Sequence, residues 1–185
     1  MDFLSVDATN HILIPTAYNR IMRCVKSNSS VHNAYTQAEI HKAARRFESP
    51  VLYIPRVYDV LNNKQYETEC IYHEKKDRVA PYLFQLFPVL FVELFRFKEF
   101  MFKEGYFMRD ITIIRMSKRL WAVIDFSKFG YIDKNKVRFP KQRFTYTLDE
   151  AEKDYGLKVA RLGDYYDTKI ERVPTCLAEA EDLYC

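Results

Sequence analysis

The segment from Gly105 to Gly130, GYFMRDITIIRMSKRLWAVIDFSKFG, constrains the fold of this 185-residue chain more than any other. It follows residues 82–104, whose apolar side chains fall nearly all round a helical wheel. Only Gln85, Glu93, Arg96, Lys98, Glu99, Lys103 and Glu104 break that surface. A helix so apolar belongs in a core, and Gly105 supplies the C-cap that ends it. Two β-type runs come next, 111–114 and 120–124, around a polar turn at 116–119. Asp110 and Asp125, fifteen positions apart, stand at the two ends of that hairpin. The pattern predicts a buried helix that delivers a hairpin with a carboxylate at each end.

Upstream the chain reads as strands. Residues 11–14 and 20–25 are β-rich runs separated by Pro15 and Asn19, and 27–33 is a polar loop. Residues 34–47 are good helix formers with Ala38, Ala43, Ala44 and Phe47 on one side, and Ser49-Pro50 stops that helix. Residues 51–54 and 57–61 are β-rich again, Asn62-Asn63 marks a turn, and 65–72 is the return strand. The run 73–78, HEKKDR, has no apolar residue and reads as the boundary between two lobes. Beyond Gly130, residues 134–143 read as a basic loop. Thr147 and Glu150 form a capping box for a helix over 148–155, ended by Gly156, and a last short helix is expected near 176–184. These segments predict an α+β chain of two lobes in one domain. A β-rich N-terminal lobe with one helix spans 1–72, and a mainly helical C-terminal lobe with an acidic tail spans 79–185.

Composition narrows the function classes. With 48% hydrophobic and 29% charged residues the chain has the make-up of a globular domain, which excludes a disordered one. The apolar run 86–97 is broken by Pro88, Glu93 and Arg96, too short and too charged to span a bilayer. The first ten residues carry two acids and no basic region, unlike a signal peptide. A cytoplasmic or nuclear location, in its own cell or a host's, and no membrane partner are therefore expected. Cys24, Cys70, Cys176 and Cys185 match neither a metal motif nor a disulfide scaffold, and the four histidines show no metal-ligand spacing.

The hairpin segment carries a resemblance. Gly105-Tyr106-Phe107-Met108-Arg109-Asp110 resembles the catalytic loop of protein kinases, with Met108 where that family usually has His. Val123-Ile124-Asp125-Phe126-Ser127 resembles the Asp-Phe-Gly motif with Ser for Gly, and the short aspartate spacing is similar to that of small atypical kinases of the RIO type. Cys24-Val25-Lys26 resembles the strand whose lysine holds the ATP phosphates, and Glu39 the helix glutamate paired with it. Residues 66–71, ending Glu69-Cys70-Ile71, resemble the strand leading into the adenine-binding hinge. The resemblance covers about residues 20–130. It implies a small, truncated, two-lobed kinase-like fold with ATP and Mg²⁺ as cofactors. Lys26, Glu39, Glu69 and Cys70 would then bind nucleotide, Asp110 would act as base and Asp125 as metal ligand.

The departures from the family pattern point away from catalysis. Five residues after its aspartate the family has a metal-binding Asn. Arg115 stands there, and a guanidinium cannot ligate a metal. The only glycines are at 105, 130, 156 and 163, so no Gly-rich phosphate loop precedes the hairpin. These features imply a pseudokinase that acts as a binding or regulatory module, with weak or no ATP binding. The alternatives are an active atypical kinase transferring phosphate to a protein or small-molecule hydroxyl, and a basic nucleic-acid-binding or host-interaction module of unrelated α+β fold.

Charge marks where a partner would bind. Residues 145–185 hold ten acids and five bases, and the rest of the chain carries +9. Lys128, Lys134, Lys136, Arg138, Lys141 and Arg143 interleave with Phe129, Tyr131, Phe139 and Phe144. Such a segment can bind phosphates and stack bases. The simpler expectation is a solvated loop whose aromatics enter the core. Either way it is the expected surface for an anionic partner, an acidic protein before a nucleic acid, with the acidic tail 164–185 competing.

Overall fold

The computed structural model describes residues 6–7, 11–26 and 32–156, so the tail and its expected helix near 176–184 lie outside the described residues. The chain begins with β1 (Val6–Asp7), β2 (His11–Ala17) and β3 (Arg20–Val25), and α1 (Ala34–Arg45) follows. Asn33 caps α1: its side chain accepts from the Thr36 amide, and the Thr36 hydroxyl accepts from the Asn33 amide. Ala34, Ala38, Ala43 and Ala44 are buried along one side of α1, small enough for the helix to lie close on its neighbours. Beyond α1 come β4 (Leu52–Tyr53), β5 (Val57–Asn62) and β6 (Gln65–Glu69). The first sheet is antiparallel in the order β1-β2-β3-β6-β5, with α1 inserted in sequence between β3 and β5.

The charged run 73–78 is not a bare linker. It forms a 3₁₀ turn at Lys75–Asp77 and leads into β7 (Arg78–Val79). The single helix expected over 82–104 is in fact two pieces, a 3₁₀ segment Pro81–Leu86 and then α2 (Pro88–Lys103). Pro88 is the cause. It has no N–H to donate and disfavours helical geometry at Phe87, which sits at φ −117°, ψ 84°, so it can only start a helix. Gly105, at φ +91°, ends α2 as the sequence predicts, and β8 (Tyr106–Phe107) follows.

The expected hairpin forms as β9 (Ile113–Ser117) and β10 (Leu120–Val123), with Ile113 opposite Val123 and Ile114 opposite Ala122. β4 adds to it in parallel on one edge and β7 antiparallel on the other, giving the order β4-β10-β9-β7. The basic segment beyond it is largely sheet, not loop. β11 (Gly130–Asp133), β12 (Lys136–Arg138) and β13 (Thr145–Thr147) extend β8 in the order β13-β12-β11-β8. Its two-residue turn sets Lys134 at φ 45° and Asn135 at φ 64°, the left-handed pair that suits a tight hairpin. α3 (Leu148–Tyr155) follows behind the predicted Thr147–Glu150 capping box. The C-terminal half is therefore not mainly helical: two sheets share it with α2 and α3 among the described residues. The class is α+β.

The main core joins these parts. Leu90, Leu94, Phe97 and Met101 of α2 are fully buried against Ile40, Ala43 and Ala44 of α1 and against Met108, Trp121, Val123, Phe126 and Phe129. Ser49 ties α1 to α2 where α1 stops. Its hydroxyl donates to the buried Glu93 at 2.6 Å and accepts from the amides of Val51 and Leu52. Two glycines test this geometry by different routes. Nothing lies within 4 Å of a Cβ built on Gly105, so Gly105→Ala is strained by its positive φ alone, and a loss of about 1–3 kcal/mol is expected in urea unfolding, with Gly105→Asn retaining more. A Cβ on Gly130 would stand 2.6 Å from Val137 and 2.9 Å from Phe139. Gly130→Ala is therefore expected to lose stability through overpacking, by about 1–3 kcal/mol, with no rescue by Asn.

Candidate functional site

A cleft of about 310 Å³ opens between the first sheet and the β9–β10 hairpin. Its roof comes from β2 and β3. Side chains alternate along a strand, so Ile21, Arg23 and Val25 share one face of β3. Ile21 and Arg23 line the cleft, and Val25 packs in the core with Ala34, Ala38 and Tyr66. Arg23 is held at both ends of its guanidinium. Nε donates to the Thr68 hydroxyl at 3.1 Å, and Nη2 donates to the carbonyl of Ile124 at 3.1 Å. The second bond crosses from the sheet to the hairpin and places the cation one residue from Asp125.

Lys26, the expected phosphate lysine, lies past the end of β3, exposed and off the cleft wall. Arg23, three residues earlier, lines the cleft instead. The signal was present in the sequence, since the period of two from Ile21 selects Arg23 and passes over Cys24. Glu39 is likewise on the outer side of α1, exposed and paired with Lys42 at 3.0 Å. The inner side carries Gln37 and His41. Gln37 Oε1 meets His11 Nε2 at 2.6 Å, an arrangement in which the ring donates. The His41 ring stacks on Phe126 with centroids 4.6 Å apart.

The rest of the lining includes Glu69, Cys70, Ile71, Thr112, Asp125 and Lys128. Both Glu69 oxygens accept from the Tyr53 hydroxyl, at 2.8 and 2.7 Å, and one accepts from the Arg56 amide. Burial pushes the Cys70 thiol pKa up, which suits a neutral lining group. Asp125 Oδ1 accepts from the Ser127 amide at 2.9 Å and from its hydroxyl at 2.7 Å. Asp110 is not on the cleft wall. Its side chain is 60% exposed and pairs with Lys128 Nζ at 3.0 Å, and it is Lys128 that reaches the cleft.

Arg115 does not stand at a metal position. It is buried within β9, donates to the Ser117 carbonyl at 3.2 Å and lies over the Phe87 ring. The strand starts only three residues after Asp110, which carries position 115 away from the loop, and Thr112 lines the cleft instead. Among the described residues no group of three His, Cys, Asp or Glu is placed to hold a metal ion.

Lys134, Lys136, Arg138, Lys141 and Arg143 are exposed, and Lys136 and Arg138 share the outer face of β12 while Val137 points inward. Phe129 and Phe139 are fully buried and unable to stack on bases, whereas Phe144 is exposed. Arg109 lies over the rings of Phe139 and Tyr155, 5.3 and 4.6 Å from their centroids, and so fastens α3 to this segment. Compared with family models, curated proteins and solved structures, the chain matches none.

Burial and the Arg23 charge hold two histidines neutral. His11 is lowered to about 4 and His41 to about 3 from an ordinary 6.5. The unfolded chain therefore binds more protons than the folded one between these values and 6.5. The stability they contribute is complete above about pH 6.5 and is lost as the pH falls toward 4 and then 3. Urea unfolding from pH 7 to pH 4 is expected to show stability falling, with an uptake of up to about two protons on unfolding near pH 5. His41→Leu is expected to flatten the slope by about one proton.

Proposed function

We propose that this chain is a divergent protein-kinase-like domain that has kept a ligand cleft and acts by binding, not by phosphoryl transfer. The observation that carries the reading is the shared lining of Arg23 and Asp125, with the Glu69–Ile71 crossing on the same cleft. The element order supports it: a five-stranded antiparallel sheet with one inserted helix, then a buried helix, then a hairpin flanked by Asp110 and Asp125. In this frame Arg23 serves as the phosphate cation and Gln37 stands where an acidic partner would be.

Kinase chemistry needs one carboxylate at the attacking hydroxyl and others around Mg²⁺. The residues here do not fit that requirement. Asp110 stands outside the cleft wall and is paired with Lys128. Asp125 has the Arg23 guanidinium as its neighbour, and Glu69, the other acid of the lining, is committed to Tyr53 and the Arg56 amide. Arg23, Arg78 and Lys128, the last shared with Asp110, bring cations to a lining whose own acids are Glu69 and Asp125, so the cleft suits an anion that arrives without a metal. A nucleoside polyphosphate is the ligand we assign to it.

A thermal-shift titration with ATP is expected to give a modest stabilisation, equal in Mg²⁺ and in EDTA and lost in Arg23→Ala. A large stabilisation that needs Mg²⁺, or phosphate transfer abolished by Asp125→Asn, would overturn this reading in favour of an active atypical kinase. The partner surface we assign is the outer face of β12 and its turn, for a protein with an acidic face. The triple variant Lys134→Glu, Lys136→Glu, Arg138→Glu is expected to lose retention on immobilised polyglutamate at low salt, and wild-type retention is expected to fall as salt rises. Equal retention of variant and wild type would remove this surface from the proposal.

A further inference from the structure

Arg109 is half-buried, yet among the described residues its guanidinium makes no hydrogen bond or ion pair. The rings of Phe139 and Tyr155 steady the cation without using its five N–H donors. Arg109 lines a pocket of about 240 Å³ together with Ser127, Lys128, Pro140, Lys141 and Gln142. Three connections meet there: the one before β9, the one before β11 and the one from β12 to β13. Two of the polar groups are fixed from behind. The Tyr146 hydroxyl donates to Gln142 Oε1, and the Ser127 hydroxyl donates to Asp125 Oδ1 at 2.7 Å. Among the described residues no acid lines the pocket.

We propose that this pocket binds a phosphate monoester carried on a side chain of a protein partner. Arg109, Lys128 and Lys141 bring three positive charges to it, and Asp110 takes a share of one through Lys128. A single carboxylate would leave the rest unbalanced. A phosphate monoester carries about −1.5 to −2 charges at pH 7 and offers three strong acceptor oxygens, and a guanidinium fork matches two of them. The size and lining select the carrier. At 240 Å³ the pocket is smaller than sites that enclose a whole small molecule. Pro140 is its one apolar residue, so it has no wall for a base. It holds a charged head and leaves the rest of the ligand outside, where Arg143 and the 74% exposed Phe144 follow directly in the chain. The pocket shares only Lys128 with the cleft and lies apart from the outer face of β12, so neither earlier assignment need hold for it.

Fluorescence anisotropy with a labelled acidic pentapeptide, its central serine phosphorylated or not, tests the proposal on the full chain. The phosphorylated form is expected to bind at least about tenfold more tightly. Arg109→Lys keeps a cation over the rings and loses the planar fork. Lys141→Asn removes a charge at φ 61°, a left-handed position that Asn accepts. Each variant is expected to remove most of the phosphate-dependent gain, with the melting temperature and the binding of the unphosphorylated peptide close to wild type. Arg23→Ala, in the cleft, is expected to keep the gain. Equal binding of the two peptides by the wild type would overturn the proposal, and so would a gain that survives both pocket variants. A gain lost in Arg23→Ala would also overturn it, because the phosphate would then sit in the cleft.

Discussion

The inner face of α2 is the constraint on which the other parts of the structure depend. Leu90, Leu94, Phe97 and Met101 have no exposed surface, and α1, the β9–β10 hairpin and the start of β11 are all packed against them. Each such side chain removed from water contributes about 1.5–3 kcal/mol as an upper estimate, so no neighbouring element can shift without losing contact with this row. The consequence for the site is positional. Met108 and Phe126 are buried in the same core, and they are two residues before Asp110 and one residue after Asp125. Burial of the apolar neighbours fixes where both carboxylates emerge, one on the surface and one in the cleft.

Charge then organises the cleft around Arg23. Its bonds to Thr68 and to the Ile124 carbonyl engage two of the guanidinium's five N–H donors and hold it between two sheets. Burial, and after it the same cation, depresses His11 and His41, which therefore act as neutral hydrogen-bonding and stacking groups. His41 against Phe126 and His11 against Gln37 connect α1 to the hairpin and to β2. The result is a rigid wall with a fixed positive charge and one neighbouring carboxylate. Among the described residues, the acids of that lining are Glu69 and Asp125.

The third sheet explains why so basic a segment is ordered. Its cations alternate with Val137 and Phe139, so each apolar residue enters a small core with Phe107 and Ala151 while its neighbours face solvent. Arg109 over Phe139 and Tyr155 joins this core to the residue beside Asp110. Surface charge and buried aromatic packing come from one period-two pattern.

Local pattern determined a good deal of this protein. The β3 boundaries, the capping box of α3, the Gly105 stop and the pairing of the hairpin follow from alternation, side-chain caps and the φ freedom of glycine, all of which act within a few residues. The Pro88 break was also legible, because a missing N–H is a local fact. Tertiary structure decided which charges converge. Lys26 and Arg23 differ by three positions, and Glu39 and Gln37 by two. The period of two sets Arg23 on one face of β3, and the placement of β3 over the hairpin and of α1 against Phe126 makes that face a cleft wall, turns Gln37 inward and leaves Lys26 and Glu39 exposed. Asp110 and Asp125 both read as site carboxylates in the sequence. They were separated by a strand that begins three residues after the first and by a lysine eighteen residues further on that claims it, a pairing no local rule contains.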